Sequence, residues 1–190
     1  MATTNSRKSV KSTVSKTTTP TNETQKSSHT TEIQKEKPII PKEIDVTQII
    51  PVMNGFQGRL IYKSPRTSER FVWDSFQDIQ EIELRELRNA KSSAKSFFIN
   101  NWFMFDDEHE WVIDYLGVGQ YYKNALKLNE FDAIFQKSPE EIEKTVSLLS
   151  VGQKNSLEYR TRQLLTEGEI DSNKVIRALE KALGTELTER

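Results

Sequence analysis

Cysteine is absent from this chain, and histidine occurs only at His29 and His109. Without cysteine there is no disulfide framework, no thiolate nucleophile and no Cys-ligated metal. Long apolar runs are missing as well. No stretch approaches the ~18 apolar residues of a membrane span, and the basic N-terminal residues lack the apolar segment of a secretory leader. The expectation is a protein with no membrane partner that is not exported. Aromatic residues are missing from the first 55 positions, and every Trp, Tyr and Phe lies from Phe56 onward.

What the N-terminal part does contain is Thr, Ser, Lys, Asn and Gln. Such a segment buries too little apolar surface to offset an ordering cost of roughly 1–2 kcal/mol per residue. Residues 1–44 are therefore expected to form a disordered arm. It ends in a stiff Pro-bounded linker, Lys37-Pro-Ile-Ile-Pro41, because each proline biases the preceding residue towards extended geometry. Around this arm the eight cations Arg7, Lys8, Lys11, Lys16, Lys26, Lys35, Lys37 and Lys42 outnumber Glu23, Glu32, Glu36, Glu43 and Asp45. With a formal net charge of -1 overall, the remainder is slightly acidic, which argues against a strongly basic nucleic-acid-binding face on the folded part.

From Asp45 onward the pattern is that of an α+β protein: a small antiparallel β module packed on one helix over residues 45–105, then a bundle of short helices over residues 106–190. Short apolar runs at Ile49–Met53, Arg59–Lys63, Phe71–Trp73 and Ile79–Glu83 alternate with turn residues and predict three or four strands. Asn54-Gly55 between the first two runs predicts a tight hairpin. Leu84, Leu87, Ala90, Ala94, Phe97 and Phe98 recur at helical spacing and predict one helix ending near Asn100. Trp102-Phe103-Met104-Phe105 breaks that period, either as a strand returning to the sheet or as a junction.

Further on, Asp106, Asp107 and Glu108 suit a helix N-terminus ahead of Trp111, with Gly117 and Gly119 as stops. Ser138-Pro-Glu-Glu141 is a capping box with proline at the first helical position. Ser150 with Gln153 repeats that logic, and Asp171 is placed to cap the last helix, with an Ile170–Val175 staple and a stop at Gly184.

Motifs that carry chemistry all fall short. His29 lies in the arm, and His109 begins His-Glu-Trp-Val-Ile, which lacks the second histidine of a zinc-protease helix. The cluster Asp106, Asp107, Glu108 and Glu110 lacks the alternating oxygens and central glycine of a calcium loop. Asn54 to Gly58 has no following Lys-Ser or Lys-Thr and precedes a strand, while Gly117-Val-Gly119 is a lone pair, so neither reads as a phosphate loop. The expectation is no enzyme, no catalytic residue, no metal and no cofactor. An interaction surface is expected instead, drawn from the cations around the β turns and the mid-chain aromatics: Arg59, Tyr62, Lys63, Arg66, Arg70, Trp73, Trp102, Trp111, Tyr121 and Tyr122. Aromatics with Arg mark protein interfaces, and aromatics interleaved with cations serve single-stranded nucleic acid. Hairpin cations also serve a plainer purpose, blocking edge-to-edge strand pairing.

The run Asn54-Gly-Phe-Gln-Gly-Arg-Leu-Ile-Tyr-Lys-Ser-Pro-Arg-Thr67, with Phe71-Val-Trp73, Phe98-Ile-Asn-Asn-Trp-Phe103, Leu116-Gly-Val118 and Ala178-Leu-Glu-Lys-Ala-Leu-Gly184, resembles small uncharacterised structural and assembly proteins of tailed bacteriophages, many with Gram-positive hosts. The likeness spans residues 50–190, with one departure: Ser68 stands where those sequences usually carry glycine. It implies a non-enzymatic component of the virion or of its assembly, found in the particle or the host cytoplasm. Its partners would be other virion structural proteins, with no small-molecule substrate. It assigns no site residues. Weak nucleic-acid binding through the basic arm and the Arg59–Arg70 turns is the alternative.

Overall fold

A computed structural model describes residues 43–188, so the arm expected over residues 1–44 lies almost wholly outside the described residues. Ile44, its last residue, is half-buried against the first hydrophobic core. The class is α+β. β1 (Ile49–Asn54) alternates outward and inward side chains and sends Ile50 and Val52 fully into the core, as a strand with one solvated face must. It lies between β4 (Ile79–Glu83) and β5 (Phe103–Met104), antiparallel to both, with Ile50 opposite Ile82 and Met53 opposite Met104. β2 (Leu60–Lys63) and β3 (Arg70–Trp73) form a separate antiparallel ribbon, with Leu60 opposite Trp73 and Tyr62 opposite Phe71. The expected small sheet is thus realised as two. The Trp102–Phe105 run supplies the returning strand.

The hairpin expected at Asn54-Gly55 does not form, because β1 pairs with β4 and β5 rather than β2. The fully buried Asn54 is instead the hub of an irregular crossing. Its Oδ1 accepts from the Phe56 N–H at 2.8 Å, and its Nδ2 donates to the carbonyls of Gly58 at 2.8 Å and Ser75 at 2.7 Å. Its backbone N–H donates to Asp78, and its carbonyl accepts from Gln77. Gly55 is needed for space rather than for positive φ. A Cβ there would overlap the Asn101 carbonyl oxygen and lie 2.8 Å from Met104 Cγ.

The single helix expected from Leu84 to Asn100 breaks in two, α1 (Leu84–Ser93) and α2 (Ser96–Ile99). Ala94 leaves helical geometry at φ -136 and ψ 45. At the end of α1 the Ser93 hydroxyl donates back to the Asn89 carbonyl, a bond that competes with helix continuation. Beyond the break Phe98 is fully buried and Phe97 packs against the same core. α3 (Trp111–Leu116) stops at Gly117 in left-handed geometry, as expected, whereas Gly119 begins α4 (Gly119–Tyr122) rather than ending a helix. The first core extends through Trp111, Val112, Leu116 and Val118.

Two short 3-10 turns, Leu128–Glu130 and Asp132–Gln136, lead to α5 (Pro139–Ser147), α6 (Val151–Glu167) and α7 (Asn173–Leu183). The Ser138/Glu141 capping box forms with both reciprocal bonds and Pro139 in the first turn. Ser150 caps α6 through the Gln153 N–H at 3.1 Å, but the Gln153 side chain turns elsewhere. The last cap is corrected from Asp171 to Ser172, which makes no side-chain bond. These helices enclose a second core around Phe131, Ile134, Ile142, Val146, Leu157 and Leu179.

At the β2–β3 turn the Ser64 hydroxyl accepts from the N–H groups of Arg66 and Thr67, and Ser68 sits at φ 61. A non-glycine residue is strained in that left-handed region. Ser68→Gly is therefore expected to stabilise the protein by about 0.5–1 kcal/mol, read as a raised urea midpoint with an unchanged slope.

Candidate interaction surface

The residues expected to form one surface divide between core and solvent. Trp73 is fully buried and its indole N–H donates to the Val52 carbonyl at 2.8 Å, which ties β3 to β1. Tyr62 is buried and Trp111 nearly so. These three leave the expected surface, because a core of this size depends on its largest aromatic side chains. Trp102 is half-buried, edge-on to Phe56 and Phe97. Tyr122 donates its hydroxyl to the Phe103 carbonyl at 2.6 Å, and burial pushes its pKa up. Tyr121 accepts at its carbonyl from Asn101 and carries Lys95 over its ring at 5.7 Å.

The four cations do share the β2–β3 ribbon and its turn. Arg59 pairs with Asp74 at 3.3 Å, and Arg66 approaches Glu86 at 3.8 Å. Lys63 and Arg70 face each other directly across the strands, and neither has a carboxylate within ion-pair distance among the described residues. The outward face of the ribbon thus has three rungs: Arg59 with Asp74, Ile61 with Val72, and Lys63 with Arg70.

Beneath the turn lies a charge whose position off the apolar stripe of α1 predicts a solvated side chain, and the structure corrects this. Glu86 on α1 is only 5% exposed and accepts from the Tyr62 hydroxyl at 2.6 Å and from Asn89 at 3.3 Å. Burial pushes its carboxyl pKa up, but hydrogen bonds from Tyr62, Ser64 and Asn89, with the charge of Arg66, outweigh it and leave the carboxyl below its ordinary range. The same burial and the bond to Glu86 push the Tyr62 phenol up. A depressed folded-state pKa contributes stability that is present above the unfolded pKa and lost as pH falls through the folded one. Glu141 and Glu180 are lowered in the same direction, by bonds from Ser138 and from the Leu187 backbone. Glu86→Gln is therefore expected to be about 1–2 kcal/mol less stable at pH 7. The gap from the parent should narrow as pH falls below the ordinary carboxylate range, and equal gaps at pH 7 and pH 3 would contradict this assignment.

The remaining near-misses are held by structural bonds. His109 Nδ1 lies 2.7 Å from Asp106 Oδ1, which also accepts the His109 backbone N–H. Lys127 bridges Asp107 and Glu110. Sequence reasoning also missed a docking strip on α6. Gly152 packs against Asn100, the Ser156 hydroxyl donates to the Gly55 carbonyl at 3.1 Å, and the Gln153 amide binds both backbone groups of Leu126. Small and polar residues at successive helix turns were the available signal. Among the described residues no helix is long and apolar enough to cross a membrane.

No protein-family model matches the chain, and neither does any curated protein or solved structure compared with it.

Proposed function

We propose that the protein is a non-enzymatic virion or virion-assembly component of a tailed bacteriophage, docking on other structural proteins through its folded body and its N-terminal arm. The sequence resemblance over residues 50–190 motivates this reading. The observation that carries it is the placement of apolar side chains: Ile49, Ile61, Ile79, Leu148, Val151 and Tyr159 all stand exposed on regular strands, helices or their junctions. Ile49 and Ile79 share one face of the β4–β1 pair, and apolar groups gathered on a rigid face suit a docking body.

Purified protein used as bait in phage-infected lysate is expected to capture identified virion structural proteins. Capture of a host protein with no virion component would overturn the proposal in favour of host takeover. The second reading, nucleic-acid binding, draws on four cations grouped at one ribbon, two of which have carboxylate partners. It requires binding that weakens steeply with added salt, and absence of binding at low ionic strength removes it.

A further inference from the structure

Two outward sheet faces of this molecule complement each other. The β2–β3 face places the unpaired cations Lys63 and Arg70 one rung from Ile61 and Val72. The β4–β1 face places Glu81 opposite Pro51, one rung from Ile79 opposite Met53. Glu81, like the two cations, has no ion-pair partner among the described residues. Ile79 is 52% exposed and Ile61 41%. Residues on one face of a strand repeat about every 7 Å. A charged rung beside an apolar rung therefore has the same pitch on both faces.

The opposite sides of both sheets line a single core, Ile50, Val52 and Ile82 from one and Leu60, Phe71 and Trp73 from the other. One chain therefore cannot bring its own two outward faces together. Like charges directly opposite on neighbouring strands are destabilising, and a carboxylate from outside would relieve the Lys63–Arg70 rung.

We propose that the β2–β3 face of one copy binds the β4–β1 face of a second copy, with Lys63 and Arg70 against Glu81 and with Ile61 and Val72 against Ile79 and Met53. Two different patches in contact make a heterologous interface, which generates a ring if the rotation closes and a filament if it does not. This deepens the proposed assembly role by naming the chain itself as a partner. It is tested on purified protein, so it can fail or stand independently of whether the chain is found in particles.

The experiment is sedimentation velocity of the full chain at low and moderate salt, with the exposed-site variants K63E/R70E and E81K. The parent is expected to gain mass with concentration, less so in salt, and each variant alone should associate at least ~tenfold more weakly. Mixing the two variants should restore association, because each reversed face then meets a reversed partner. Circular dichroism checks folding, and E81K alone carries the test if the double variant fails to fold. A parent that stays monomeric at every concentration, or variants that associate like the parent, would overturn the proposal.

Discussion

Gly152→Ala should destabilise the protein by about 3 kcal/mol, the upper part of the range for overpacking. A Cβ at this position would overlap the Asn100 carbonyl oxygen and lie 2.5 Å from the Asn100 Cβ. Neither obstacle is the free end of a flexible side chain, so α6 would have to move away. Moving it would also strain the Ser156 bond to Gly55 and the paired Gln153 bonds to Leu126. Gly168→Ala is the control: it has φ 75 and nothing within 4 Å, so only backbone strain of roughly 1 kcal/mol applies. Urea unfolding followed by tryptophan fluorescence measures both. Equal losses would mean that α6 is not seated on Asn100.

Asn54→Ala is expected to cost about 2–3 kcal/mol, since it removes the three side-chain bonds to the Gly58 and Ser75 carbonyls and the Phe56 N–H. A typical hydrogen bond contributes about 1 kcal/mol net, and water can partly replace the lost partner at the half-buried Phe56 and Gly58 and the exposed Ser75. Asn54→Asp keeps the shape and the bond from Phe56 but turns a charge towards two carbonyls, so it should be no milder. The same unfolding measurement decides, and a loss below that of Gly168→Ala would remove Asn54 from its role as hub.

These two positions also show what could and could not be foreseen. The alternation in β1 and the periodicity of α5 to α7 are local patterns, and the elements appear where those patterns lie. Ser138/Glu141, Gly117 and Gly184 act within one turn of chain, so their capping roles were legible as well. Asn54-Gly55 carried a strong hairpin signal, yet its bonds reach Ser75 and Trp102, and a partner that distant leaves no mark on the local run. Gly152 carries no local signal because the reason for it, Asn100, lies far away in sequence. Of the residues expected at a surface, Arg59, Lys63, Arg66 and Arg70 stand exposed, whereas Tyr62, Trp73 and Trp111 are buried. Composition cannot separate Trp73, bonded to Val52, from a tryptophan in solvent. Lys63 and Arg70 gained their meaning only from the register that sets them opposite each other.

The proposed role places this chain in a particle or in its assembly. Quantitative mass spectrometry of purified virions, with the assembly intermediates sedimented from infected lysates, tests it most directly. Recovery at a fixed ratio to the major structural proteins is expected in at least one of these fractions, whereas absence from virions and intermediates alike would contradict that role.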